Sequence, residues 1–513
     1  MRRNFLLALS FVNVCYLRVW NEVLTYSRAD MFTMLTPPKP LVYWALMANV
    51  LLGAGVLSGL SLLANRLLTG RNSRFPEMAV VLGLCIPINA FRSVLANQYT
   101  YLKSPLIGLI GQRGVIVLGA VIAVCALVAI FVFHRILARA AILVIWVLVP
   151  FCLVTFGQAV WRATHYDGSA FANNPPAPML AGAKKLPRVV WFIADEWDYR
   201  LTFVDRHPSL ALPELDRLSK EAIFTENAHP PGPETRISIP GYYTGRLVAE
   251  VRFDGPWESH MWYRGESVES PWNAQPNVFQ HARELGVNTA LVDWFQPTCR
   301  ILTGLSFCSW LPMAIQYNSM GDTFGEVLLH QPRSLFETNL FSLFGRALSA
   351  DQQTGVYHAI VGEAEQLIGD TNFGFTLVHL PIPHAPHAYN RKTGEFTLGN
   401  SPIGGYVDSL ALLDRTVGEV RQTMERAGTW DSTTVLFTSD HHYRQDAALD
   451  GKTDPRIPYL LKLAGQKVGT VYAQPFNTVL TGELLLAVMR GEVSDAAGAV
   501  SWIDRNRTKF PVE

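Results

Sequence analysis

Four long apolar runs constrain this chain more than any other feature, because uninterrupted stretches of that length have few places to go except a lipid bilayer. They lie at about 41–65, 78–97, 115–133 and 140–159. A hydrocarbon core of about 30 Å takes roughly 20 apolar residues of helix, and each run is long enough. A fifth run, 4–25, carries Asn13, Arg18, Asn21 and Glu22 yet still counts as a span. No small-x-small cleavage site follows it, and the pattern continues through "CYLRVWNEVL". Residues 1–162 are therefore predicted to form an all-α transmembrane domain of about five helices. A loop-like linker at 163–185 and a globular domain at 186–513 follow.

Orientation comes from the loops. With five spans and an inner N-terminus, the inside holds Arg2, Arg3, Arg66, Arg71, Arg74, Arg135 and Arg139, and the outside holds Arg28, Lys39, Lys103 and Arg113. That bias puts everything after about 162 outside the cytoplasm, in a multi-pass protein of the inner (plasma) membrane. Arg18 and Arg92 stand near the outer ends of their spans, where they snorkel or meet lipid phosphate. Tyr99 and Tyr101 suit the interfacial belt. A net charge of +1 without a basic face gives no reason to expect a nucleic-acid partner. Four of the six cysteines fall in predicted spans. The other two, Cys299 and Cys308, either close a short disulfide loop in an oxidising compartment or stay as buried thiols.

In the outer domain, "RVVWFIA" (188–194), "VNTALVDW" (287–294), "FGFTLVHL" (373–380) and "TTVLFTSD" (433–440) read as buried strands. "LPELDRLSKEA" reads as a helix, and so does 404–428, where Val407, Leu410, Leu413, Val417, Val420 and Met424 recur at three- and four-residue steps before Gly428. Strands alternating with helices imply an α/β domain whose mostly parallel sheet is covered on both faces, with its chemistry beyond the carboxyl ends of the strands.

Those ends carry Asp195 and Glu196, then His379, His384 and His387, then Asp440, His441 and His442. Carboxylates and imidazoles delivered by separate strands to one edge are what a hard or borderline divalent cation needs. Taken singly, a strand-terminal Asp is a helix cap or turn former and a lone His in a Pro-rich loop is a packed surface residue. The segment "HPPGPETRISIPGYYTGR" (229–246) adds three hydroxyls, on Thr235, Ser238 and Thr244. Thr235 serves either as a nucleophile or as an N-cap, and Ser238 as a helix-end hydroxyl.

The order "VVWFIADE", "PETRISIP…TGR", "HLPIPHAP", "LFTSDHH", "KTDPRIP" resembles the alkaline phosphatase superfamily. With five spans ahead of it, the architecture is similar to the phosphoethanolamine transferases that modify lipid A and to the lipoteichoic acid synthases. The resemblance implies an alkaline-phosphatase-like α/β domain with Thr235 as nucleophile. In the transferases the catalytic threonine is followed by Ser at plus three and Pro at plus five. In sulfatases the catalytic residue stands nine before Thr-Gly-Arg, and Thr235 satisfies both spacings. The sulfatase maturation signature, Cys or Ser followed by x-Pro-x-Arg, would need Arg in place of Tyr242 if Ser238 began it, and Thr235 cannot become a formylglycine. Phosphoryl transfer is therefore favoured over sulfate hydrolysis.

By the same resemblance, Asp195, Thr235, Asp440 and His441 are the metal ligands, with Glu196 as an additional one. His384 and Lys452 join Thr235 as catalytic residues, and His379, His442 and Arg444 bind substrate. The histidine that the transferases carry a dozen residues after the Asp-His pair is missing, so one ion, Zn or Mn, is favoured and a second is in doubt. The implied activity moves a phosphoethanolamine or phosphoglycerol head group from a phospholipid donor to a periplasmic glycan or glycolipid. A membrane-tethered phosphodiesterase or atypical sulfatase, and a non-enzymatic membrane protein, are the alternatives.

Overall fold

A computed structural model describes residues 2–68, 80–98, 103–312, 321–335, 342–397 and 402–512. The chain forms two compact units. One takes in residues 1–26, 36–167 and 315–345, and the other residues 27–35, 168–314 and 346–513. Helices in the first half of the chain are α1 (Arg2–Cys15), α2 (Leu17–Leu24), α3 (Arg28–Phe32), α4 (Pro40–Leu68), α5 (Cys85–Gln98), α6 (Lys103–Val147) and α7 (Val149–Thr164). All but α3 belong to the first unit.

That first unit is built with its polarity inverted. Leu51, Leu52, Val56 and Leu60 of α4 and Leu153 and Val154 of α7 are exposed. Buried Asn13 accepts hydrogen bonds from Trp20 Nε1 at 2.9 Å and Thr155 Oγ1 at 3.1 Å. Polar groups paired inside and apolar side chains outside suit hydrocarbon better than water. Among the described residues two helical stretches, Pro40–Ala64 and Val128–Thr164, are long and apolar enough to cross a membrane, and Val80–Phe91 is a shorter apolar helix.

The separate spans expected at 115–133 and 140–159 are not what forms. α6 runs unbroken through Arg135 and Arg139, so the inner loop predicted there is absent. "FHRILARAAIL" has no Gly or Pro and is rich in Ala, Leu and Arg, so nothing in it ends a helix. The break comes at Leu148, just before Pro150, which sits in the first turn of α7. Arg18 is ion-paired with Glu22 at 2.8 Å. Arg71, Arg74, Tyr99 and Tyr101 lie outside the described residues, as does the side chain of Arg92.

The second unit is centred on an eight-stranded sheet. Its strands are β1 (Arg188–Ala194), β2 (Ile223–Thr225), β3 (Asn288–Trp294), β4 (Phe307–Leu311), β5 (Phe373–Leu380), β6 (Thr433–Ser439), β7 (Tyr459–Lys462) and β8 (Thr470–Tyr472). They lie in the order β8, β2, β7, β6, β1, β5, β3, β4, and only β7 runs antiparallel to its neighbours. β1 alternates cleanly: Val189, Trp191 and Ile193 enter one core, and Val190, Phe192 and Ala194 the other. On the first face pack α8 (Thr235–Thr244) and the helices Val278–Glu284 and Thr481–Met489. On the second pack α9 (Ser342–Gly369) and α10 (Pro402–Arg426). Each fully buried aliphatic or aromatic side chain contributes about 1.5–3 kcal/mol.

Two short segments cross the boundaries expected from composition. Residues 27–35 join the second unit: Phe32 stacks on Phe253 at 3.8 Å, and Arg300 donates to the carbonyls of Met34 and Leu35 at 2.6 Å each. Residues 321–335 join the first, where buried Val327 of the helix Phe324–His330 enters the core with Val42 and Leu46, and Asn49 donates to Leu328 O. Nor is 168–185 a loose linker. Asn174 N donates to Cys299 O at 2.8 Å and Lys184 N to Gly286 O at 3.0 Å.

Cys299 and Cys308 are disulfide-bonded. Closing so short a loop restricts the unfolded chain by about 2–3 kcal/mol. The double variant Cys299→Ala/Cys308→Ala is expected to lower the thermal midpoint of the purified full chain by several degrees. Reducing agent should then have no further effect, and an unchanged midpoint would count against a stabilising bond.

Candidate active site

Parallel register brings the acidic residues together. Ala194 of β1 pairs with Ser439 of β6 and with Leu380 of β5, so the residues that follow emerge at one level. Asp195 N donates to Leu380 O at 3.2 Å, and Ser439 Oγ to Ala194 O at 2.8 Å. Glu196 then turns into the left-handed region (φ 63°), which aims its N–H at Asp440 Oδ1, 3.1 Å away. A non-glycine residue held there is a strain that cross-strand bonds must offset.

Thr235 is the first residue of α8. Its Oγ1 donates to Asp195 Oδ2 at 3.2 Å and lies 3.3 Å from His441 Nε2. His441 Nε2 is 3.3 Å from Asp440 Oδ2, and its Nδ1 is 2.8 Å from His442 O. A ring that donates Nδ1–H to a carbonyl presents Nε2 as a lone pair. The other two hydroxyls are used within the helix and its approach: Ser238 Oγ donates to Gly232 O at 2.9 Å and Thr244 Oγ1 to Pro240 O at 2.7 Å. Among the three, Thr235 alone faces the acidic centre.

Ligand atoms of Asp195, Asp440 and His441 all lie within 4.8 Å of one another, and all three residues are buried. Asp195 Oδ1 and Asp440 Oδ2 are buried without a hydrogen-bond partner. Burial, and then the charge of Asp440, push the Asp195 carboxyl well above the ordinary range. Burial acts on Asp440 in the same sense, but His441 and His379 hold it below its ordinary value. Two buried carboxylates with unbonded oxygens are costly unless a cation joins them. Oxygen donors from Asp195, Asp440 and Thr235 with one imidazole nitrogen suit a borderline divalent metal.

The other predicted residues divide. Glu196 is not part of the ligand group; its carboxylate accepts from Arg444 Nε at 2.9 Å. Arg444 is half-exposed, and its charge reaches Asp195 and Asp440. Lys452 does not join the centre either. It is 64% exposed and pairs with Asp205 at 3.1 Å, in a loop where Arg200 and Asp450 supply its neighbours. His384 meets the edge of Trp294 at 5.1 Å, with its pKa lowered by burial. His442 is partly buried and lowered in the same way. His387 is a packed ring, bonded to Ser409 at 3.0 Å and pushed down to about 4 by burial. His379 is fully buried, 3.7 Å from Asp195 Oδ2 and 2.9 Å from Asp293 Oδ1. Sequence reasoning missed Asp293. It stands next to last in a buried strand, within two residues of the strand end as Asp195 and Asp440 are, and that signal was present in "VDW".

A mostly parallel α/β sheet carries at its carboxyl edge the Thr235 hydroxyl beside Asp195, Asp440 and His441, a group that could hold a metal ion. The sulfatase family model matches residues 187–479, more than half of the sequence, and the chain belongs to the sulfatase family. Solved structures similar to it include the PsFucS1 sulfatase from Pseudoalteromonas sp., at 16% identity over 59% of this chain and 68% of that one, TM-score 0.42. A protein in the alkaline phosphatase superfamily from Vibrio parahaemolyticus shares 14% identity over 62% and 71%, TM-score 0.38. The lipoteichoic acid synthase LtaP from Listeria monocytogenes shares 13% over 62% and 75%, TM-score 0.36. No curated protein matches the sequence.

Proposed function

We propose that this chain is a divalent-metal-dependent transferase that moves a phosphoethanolamine or phosphoglycerol head group from a phospholipid to a periplasmic glycan or glycolipid by way of phospho-Thr235. The observation that carries it is the placement of the Thr235 hydroxyl within 3.2–3.3 Å of Asp195 and His441. An unassisted threonine is a poor nucleophile near neutral pH. One Zn or Mn ion held by Asp195, Asp440, His441 and Thr235 would lower the hydroxyl's pKa and draw charge from a phosphoryl oxygen, a contribution of several kcal/mol.

In the first half-reaction Thr235 Oγ1 attacks phosphorus. A P–O bond forms to Thr235, the P–O bond to the lipid breaks, and diacylglycerol leaves as an alcohol with the threonine proton. The free N–H groups in the first turn of α8 favour the anion that results. Arg444 meets the other phosphoryl oxygens from the solvent side. In the second half-reaction an acceptor hydroxyl displaces Thr235 while His384 removes its proton, and His442 lies beside the entering group. The first unit, with polar groups inside and apolar groups outside, holds the enzyme in the inner membrane, and the second unit is extracytoplasmic. Protease added to intact spheroplasts should then digest the second unit; full protection would reject that side.

The activity is tested with full-length protein loaded with Mn or Zn and vesicles carrying head-group-labelled phosphatidylethanolamine or phosphatidylglycerol. Label is expected on the tryptic peptide containing Thr235, and its loss should follow addition of a glycan acceptor. Label lost to water at the same rate without acceptor would make the enzyme a phosphodiesterase. No label from either lipid would reject the reading.

A further inference from the structure

Asp293 takes no part in the steps above, yet it is fully buried one strand away from the one that carries His379. Its Oδ1 accepts from Trp294 N at 2.8 Å and lies 2.9 Å from His379 Nδ1, and its Oδ2 accepts from Tyr243 OH at 3.0 Å. Tyr243 is on α8, the helix that begins with Thr235. His379 is also fully buried. Its Nε2 has no hydrogen-bond partner and faces Asp195 Oδ2, 3.7 Å away, the oxygen to which Thr235 donates. The other oxygen, Asp195 Oδ1, is the unpartnered one. His379 stands just outside the group formed by Asp195, Asp440 and His441.

We propose that Tyr243, Asp293 and His379 form a positioning chain for Asp195: Asp293 and Tyr243 fix the His379 ring, and the ring, packed beside Asp195 Oδ2, sets the carboxylate's orientation so that Oδ1 is presented to the cation. Outer partners of ligand residues set the direction of the ligand's lone pairs, and removing them commonly weakens metal binding 10- to 100-fold. A buried carboxylate accepting three hydrogen bonds is a rigid anchor, and one link of the chain lies on the nucleophile's own helix. Metal and hydroxyl positions are thereby tied together. The assignment rests on the cation site proposed above but not on the transfer reaction.

The test uses the full chain and measures Mn²⁺ and Zn²⁺ affinity by competition with a chromophoric chelator, with the thermal midpoint recorded for each apo variant. Asp293→Asn and His379→Gln are each expected to weaken cation binding about 10- to 100-fold. If Asp293 acts through His379, the double variant should bind no more weakly than His379→Gln alone. Tyr243→Phe, which removes a single hydrogen bond, should shift affinity in the same direction by a smaller factor and keeps the question decidable if Asp293→Asn does not fold. Unchanged affinity in Asp293→Asn and Tyr243→Phe, or fully additive losses in the double variant, overturns the proposal. A raised KM for lipid with cation affinity intact also overturns it, making His379 a substrate contact instead. Failure to label Thr235 with these affinity changes present would reject the transfer reaction and leave the chain standing.

Discussion

Thr235→Ala is expected to abolish head-group labelling of the protein and to lower turnover by about 10⁴-fold or more, since loss of a nucleophile removes the covalent route altogether. The effect on folding should be small. The Thr235 hydroxyl has hydrogen-bond contacts to Asp195 and His441, and a net bond of that kind is worth about 0.5–1.5 kcal/mol. Thr235→Ser keeps an oxygen at the start of α8 and should retain measurable labelling at the substituted position. The pair separates chemistry from structure: alanine and serine variants of equal activity would show that the threonine is not the attacking group. Label appearing on Ser238 or Thr244 in the alanine variant would contradict the geometry, because both hydroxyls already donate within the helix segment.

The second large effect is expected from Asp440→Asn. Asp440 Oδ1 accepts from Glu196 N at 3.1 Å and from His441 N at 2.8 Å, and an asparagine Oδ1 can keep both. What changes is Oδ2, which becomes an NH₂ group directed at the place where Asp195 and His441 converge. The fold should survive while cation affinity falls by about 100-fold or more, read by elemental analysis after dialysis and by chelator competition. Burial and the neighbouring charge of Asp440 together raise the Asp195 pKa. A variant that still copurifies with stoichiometric metal would show that Asp440 is no ligand.

Much of the catalytic unit was legible without coordinates, for physical reasons that can be named. β1, β5 and β6 are buried on both faces, so they appear as short apolar runs ending abruptly in Asp195, His379 and Asp440, and their ends fall where predicted. The amphipathic α10 and its stop at Gly428 (φ 67°) follow from period and backbone freedom. The hydroxyls were harder. Spacing alone left Thr235, Ser238 and Thr244 open, and the choice among them came from resemblance until hydrogen bonding showed two already engaged. The partners of Lys452 and Glu196 were not legible, because position along the chain does not say which residue lies across a loop. Asp205 and Arg444 claim them, and each is remote in sequence from the residue it binds.

What the amino-acid order determined by itself was local: which segments are apolar enough to be strands or membrane helices, where acids and imidazoles follow them, and that Cys299 and Cys308 are near enough to join. Those properties depend on a residue and its neighbours within one or two turns. Only the tertiary structure decided that 27–35 packs against Phe253 and that Asp293 reaches His379. Such outcomes depend on register between strands and on packing between segments hundreds of residues apart. In a parallel sheet a shift by one residue moves every side chain to the opposite face. The Ala194–Ser439 pairing therefore decides whether Asp195 and Asp440 meet at all.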